Sequence, residues 1–167
     1  SMDLLEYLAD ALQTTVEYLM ESEESQAEKI CTFFEQIAEG YIASGNILSA
    51  EEKIESALYY AEKYKLEYRK AKNLFLRAKV YMEKKDYTLA QQFFLSANVI
   101  FIKNNKNEEI IETFLYLANI TYRVKAYHSS NSYLQQAEKV FIDNNIGNDF
   151  LLGKIYFYIA NTFFKLN

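Results

Sequence analysis

Proline and tryptophan are absent from these 167 residues, glycine occurs four times, and cysteine and histidine once each. A chain without proline and nearly without glycine lacks the turns that a sheet protein needs, which points away from β architecture. A single cysteine excludes an internal disulfide and any all-cysteine metal site, and suits a reducing cytoplasm, the expected location. No apolar run approaches the roughly 20 residues that cross a bilayer as a helix, and the start does not resemble a secretion signal. No glycine-rich phosphate loop is present, nor any Cys or His pair at metal-ligand spacing, so neither metal nor cofactor is expected.

What is present favours helix. Half the residues are apolar, 15 are tyrosine and 12 phenylalanine, and Ala, Leu, Glu, Lys and Gln recur throughout. The expected class is all-α. The net charge of −5 is unevenly placed: residues 1–30 hold eight acids and one base, Lys29. A basic zone follows at Lys65, Arg69, Lys70, Lys72, Arg77, Lys79, Lys84 and Lys85, faced in sequence only by Glu67 and Glu83. The chain as a whole lacks the balance of a nucleic-acid-binding domain.

The chain repeats itself at forty residues. Ala38, Ala78 and Ala118 share one column, continued by Ala160 forty-two residues on, while Ala57, Ala97 and Ala137 share another. Ile54, Phe94 and Leu134 align, as do Phe34, Leu74, Phe114 and Tyr156. Such a period marks stacked helix pairs, each burying its apolar face against its neighbours. The small residues fall where helices cross closely and a large side chain must meet a small one. Units are expected at about 28–65, 68–103 and 108–143, with a lone helix at about 150–166. Ser44-Gly45-Asn46 forms the first turn, Ser49 with Glu52 reads as a capping box, and Asp86 as a helix cap.

The opening lies outside the repeat. Leu4, Leu5, Leu8, Ala9 and Leu12 form a helical stripe, and a second short helix is expected through Val16, Tyr18, Leu19 and Met20, with Thr15 as its cap. Leu4, Leu8-Ala9, Ala11-Leu12, Val16 and Tyr18-Leu19 resemble the last two helices of Cro/repressor-type helix-turn-helix domains over roughly twenty residues. Ser1 is given no weight in that likeness. The division expected is 1–22 as the tail of such a domain, its reading helix missing upstream, and 23–167 as a repeat domain ending after the first helix of a fourth unit.

The repeat resembles the tetratricopeptide repeat (TPR). Ile37-Ala38 with Tyr41, then Ala50, Ile54 and Ala57, matches its pattern, as do Ala78, Tyr81, Ala90, Phe94 and Ala97. Thr121 and Ser130 depart in the third unit, Arg77 stands where leucine is usual, and the closing proline is missing. Loops at Lys103-Asn104-Asn105 and Asp143-Asn144-Asn145 are expected to lengthen the unit from the usual 34 or so. The resemblance implies a right-handed α-α superhelix of about 3.5 repeats.

Candidate chemistry is sparse. His128 lies at a turn beside Ser129 and Ser130, and polar punctuation of that turn outweighs a nucleophile with its base. Cys31, with no histidine nearby, reads as a packing residue. The chain is not expected to be an enzyme.

The first helix of each unit lines the inner surface in the TPR family. By that likeness the inner column is Glu39, Lys79, Asn119 and Asn161, flanked by Glu35, Phe75, Leu115 and Phe157 and by Met82, Tyr122 and Phe164. Asparagine is unfavourable inside a helix, so Asn119 and Asn161 at one repeat position invite a reason. They either meet a bound peptide's backbone, or bond a neighbouring helix, or recur by chance. Lys72 and Lys79 are placed to receive a peptide carboxylate, although solvated lysines explain them better, and Phe75, Tyr122 and Phe157 to take its side chains. Glu35 and Glu39 would repel such a carboxylate in the first unit.

A Cro-type tail followed by forty-residue TPR units resembles the peptide-pheromone-responsive regulators of low-GC Gram-positive bacteria, the Rap–Rgg–NprR–PlcR–PrgX group. That resemblance implies a short peptide held on the concave face by asparagines, and DNA bound only through the missing upstream domain. The partner expected is a short peptide or protein segment, with no membrane. A homodimer is expected through the apolar face ending in Phe163-Phe164. Two alternatives stay open: an adaptor or scaffold without a DNA-binding role, and a regulator acting on response regulators.

Overall fold

The structure, a computed structural model, describes residues 1–13, 15, 16 and 22–167. Among them are eight α-helices and no strand. In order these are α1 (Met2–Ala11), α2 (Glu23–Ala43), α3 (Ile47–Lys63), α4 (Glu67–Glu83), α5 (Tyr87–Lys103), α6 (Asn107–Arg123), α7 (Tyr127–Asp143) and α8 (Asp149–Leu166). The short helix expected through Tyr18, Leu19 and Met20 lies outside the described residues. Along α1 only Ala9 is buried, while Leu4, Leu8 and Leu12 are exposed.

The forty-residue period contains a shorter one. From α3 to α7 every helix is 17 residues long, and each starts twenty residues after the last. The cause is one turn used repeatedly. Gly45, Lys65, Lys85, Asn105, Lys125 and Asn145 all have positive φ, between 49° and 77°. At each, two hydrogen bonds close the helix. Gly45 N–H donates to the Ile42 carbonyl (3.1 Å) and Asn46 N–H to that of Tyr41 (2.9 Å), and the other five junctions copy the pair. This Schellman ending satisfies carbonyls that the last helical turn leaves orphaned. The extra length of the unit therefore lies in the helices rather than in the loops at 103–105 and 143–145. Between α2 and α8 one connection is longer, residues 144–148, which carries the two-residue shift of the last copy.

Helix starts follow side-chain chemistry. Asp86 Oδ1 accepts from Leu89 N–H (3.1 Å), as expected of a cap. The capping box expected at Ser49 and Glu52 is not formed. Asn46 caps α3 instead, accepting from Ser49 N–H, so Ser49 already lies inside the first turn.

Consecutive helices from α2 to α8 pack on one another, as in a helical repeat. In addition α2 touches α4 and α6 touches α8, whereas α3, α5 and α7 make no comparable contact among themselves. The alanine columns sit at the crossings: Ala38, Ala78, Ala118, Ala50, Ala90, Ala57, Ala97 and Ala137 are all buried. Ile54, Phe94 and Leu134 fill the space opposite. Each such large side chain contributes roughly 1.5–3 kcal/mol by leaving water.

The fourth copy departs from its register in exposure. Leu151, Ile155 and Thr162 bury the face of α8 turned to the preceding unit, but Tyr156 and Ala160, in the two columns, are exposed. Those columns face a unit's own second helix, and no described helix covers them on α8.

The basic zone is in part paired with acids distant in sequence. Arg69 pairs with Glu28 and Glu35, Arg77 with Glu55, and Lys84 with Glu51. The acids of α2 and α3 thus pair with both arginines of α4 and with Lys84 just past its end. Glu35 does not face a ligand. It is buried between α2 and α4, accepting from Arg69 Nη1 and Asn73 Nδ2, each at 2.8 Å.

Candidate binding site

The first helices of successive units form a groove. Lys72, Phe75 and Lys79 of α4 and Asn119 of α6 border a cavity of about 480 Å³, together with Tyr116 and Tyr158. Asn119 also borders an adjoining cavity of about 220 Å³, shared with Tyr122, Arg123 and Asn161. Six of the seven residues expected to meet a peptide are therefore brought together. Phe157 is the exception. It is 63% exposed and lies on an open apolar surface beside Phe150 and Lys154.

Phe75 plays a different part from the one expected. Its ring packs edge-on against Phe94 (5.2 Å) and Tyr116 (5.3 Å), and Tyr116 stacks on Phe94 (4.9 Å). Phe75 is buried, so it makes the floor of the groove rather than a pocket wall. Such ring pairs contribute about 0.5–1.5 kcal/mol beyond their buried area. Burial also raises the pKa of the Tyr116 hydroxyl above its usual range, and Glu112 adds to the effect. That hydroxyl remains a donor at any physiological pH.

Polar groups line the rim above this floor. Lys72, Lys79, Arg123 and Lys154 stand against Glu39, Glu83 and Glu112, and none of these cations lies within ion-pair distance of a carboxylate among the described residues. Asn119 Oδ1 accepts from Arg123 Nε at 2.6 Å, within one helix, and Asn161 has no hydrogen-bond partner among the described residues. Neither asparagine ties two helices together. Arg123 borders both cavities and was not singled out by sequence; its signal was the i, i+4 spacing from Asn119.

The departures of the third unit have structural reasons. Thr121 Oγ1 donates to its own helix, at the carbonyls of Leu117 (2.9 Å) and Ala118 (3.0 Å). Ser130 Oγ donates to the Ala118 carbonyl (2.9 Å) and lies 3.4 Å from Thr162 Oγ1. Ser130 therefore faces the α6–α8 contact, while His128 is exposed at the start of α7. No nucleophile is assembled there.

Cys31 is fully buried, its Sγ 3.4 Å from the Ala57 carbonyl. Burial pushes its thiol up to about 11, with Glu35 and Glu28 adding to the shift and Arg69 opposing it. Among the described residues no group of His, Cys, Asp and Glu could hold a metal ion, and no helix is long and apolar enough to cross a membrane. No protein-family model, no curated protein and no solved structure matches the chain.

Proposed function

We propose that this chain is the peptide-binding sensor region of a transcriptional regulator, a TPR-type stack that takes a short linear peptide along its first helices. The observation that carries this reading is the groove across α4, α6 and α8, where two carboxamides and cations outside any ion pair among the described residues stand above a buried aromatic floor. An extended peptide presents backbone donors and acceptors at every residue, and free carboxamides such as Asn161 answer both. The contacts of α2 with α4 and of α6 with α8 add support. The second helices make no comparable contact among themselves, an asymmetry expected if the first helices lie on the inner side of a bent stack. The link to DNA rests on the likeness of Leu4 to Leu19 to a helix-turn-helix tail.

Random heptapeptide pools test the proposal directly. Thermal shift and calorimetry should reveal binders that both Asn119→Ala and Asn161→Ala weaken. Full affinity in both variants would remove the groove as the site. This chain by itself is expected not to recognise an operator, and tight, salt-resistant binding to specific DNA would refute the reading of its opening as only the tail of a helix-turn-helix domain.

One observation favours a protein partner in addition. Phe163 and Phe164 of α8 are 63% and 80% exposed, an unusual face for an uncovered surface. Sedimentation equilibrium would detect self-association, and Phe164→Glu should abolish it.

A further inference from the structure

Helices α3, α5 and α7 hold the same place in successive units, yet their outward faces differ. α3 carries six charged residues and α7 three, whereas in α5 the only one is Lys103, its last residue. Leu95, Val99 and Ile102 of α5 are 41%, 67% and 52% exposed. At the same register α3 has Glu55, Tyr59 and Glu62, and α7 has Gln135, Lys139 and Ile142. Apolar residues on every side of a helix mark one that is covered on every side. In α5 the side of Leu95, Val99 and Ile102 is open to solvent.

The spacing of these residues states what kind of surface fits. They follow one another at four and then three residues, the seam along which two helices pack. The seam is also complementary to itself. Turned end for end about Val99, it sets Leu95 against Ile102 of a second copy, and Val99 against Val99. Each helix then lies across from its own counterpart. On α3, Tyr59 shares the level of Val99, with Glu55 four residues before it and Lys63 four residues after. Glu55 of either copy therefore comes to the level of Lys63 of the other. Lys139 of α7 comes to the level of its own counterpart, but it is already paired with Asp143 (2.7 Å). A parallel pairing instead brings the two Lys103 side chains together and aligns the helix dipoles, and both effects oppose it.

We infer that the open face of α5 binds a second copy of this chain, the two α5 helices running antiparallel about a two-fold axis at Val99. This contact is separate from the peptide groove and from the exposed end of α8, and it depends on neither. Its apolar part is three side chains of α5, with Tyr59 and Ile142 exposed at the same levels on the flanking helices. That falls short of the roughly 20–30 residues a side of a standard interface, so the pairing belongs to the weak, transient class.

Sedimentation equilibrium over a range of concentrations tests it in the Phe164→Glu chain, where α8 no longer offers an apolar end. That chain should still dimerise, and adding Val99→Glu should weaken the dimer by about tenfold or more, the scale of a residue central to an interface. Val99 is exposed in the single chain, so the variant keeps its fold, which melting curves verify. Val99→Cys should give a disulfide-linked dimer under mild oxidation, because the axis brings the two residues within disulfide reach. The unaltered chain, whose one cysteine is the buried Cys31, serves as control. Leu95→Cys and Ile102→Cys should cross-link much faster as a mixture than either does alone.

If the Phe164→Glu chain stays monomeric at every concentration, the α5 contact between copies is refuted and the face is left to a foreign helix. If it dimerises equally well with Val99→Glu added, the contact lies elsewhere and α5 is refuted as its site. If Leu95→Cys alone cross-links as fast as the mixture, the helices pair in parallel and the axis at Val99 is refuted.

Discussion

Arg69 Nη1 lies 2.8 Å from Glu35 Oε2, joining the first unit to the second through a carboxylate that is almost wholly out of water. Burial raises the Glu35 pKa, and Arg69 is the foremost of the groups that oppose that rise, followed by Lys72 and Asn73. Arg69→Met should therefore destabilise the fold by about 3–5 kcal/mol, because it leaves a buried charge uncompensated. The pH dependence follows from the sign of the shift. Losing Arg69 moves the folded-state pKa of Glu35 further above its unfolded value, so the variant loses stability as pH rises through and beyond the ordinary glutamate range. Urea denaturation at about pH 4 and about pH 7 should show the deficit widening at the higher pH. A deficit independent of pH would mean that Glu35 is not the group affected.

Three of the six left-handed turn residues are lysines, Lys65, Lys85 and Lys125. A side chain in that conformation costs roughly 1–2 kcal/mol, which glycine avoids. Replacing any of the three by glycine should raise the melting temperature by roughly 2–4 °C per kcal/mol gained in a chain of this size. Lys65→Gly combined with Lys125→Gly should be nearly additive, since the two turns share no partner. No gain at any of the three would argue against the turn geometry.

Ala38 is fully buried where α2 crosses α3. A phenylalanine there cannot fit without moving one helix, so Ala38→Phe should cost about 1–3 kcal/mol. Unchanged denaturation would show that the column is not a crossing point.

The Cys31 thiol, pushed up to about 11 and sealed under α3, should resist alkylation in the native state at neutral pH. Labelling should proceed only as fast as the first unit opens, and should accelerate in sub-denaturing urea. Rapid labelling of folded protein would contradict that burial.

The forty-residue columns were legible in sequence because side-chain size at a crossing is fixed by geometry and leaves a direct trace. The twenty-residue turn was not, because Gly, Lys and Asn share one backbone conformation there and lysine is no turn signal. Ser49 and Glu52 looked like a cap because the spacing fits, yet Asn46 stands three residues ahead and reaches the same N–H first. Glu35 read as an open acid since its partners, Arg69 and Asn73, are 34 and 38 residues away. The same limit applied at the groove. Asn119 and Asn161 could be read from their shared column, whereas the burial of Phe75 beneath Tyr116 and the reach of Arg123 into both cavities depend on how helices lean together.

The repeated turn has a bearing on descent. Its hydrogen bonds are all made by backbone, so no particular side chain must be inherited at residues 45, 65, 85, 105, 125 or 145. Each junction can drift to whatever residue tolerates the left-handed region, and copies of the unit can lose every shared letter there while remaining congruent in space. Gain or loss of a whole helix pair would leave the remaining joints unaltered. Kinship among chains built this way is better sought in the spacing of their joints than in the identity of the residues that make them.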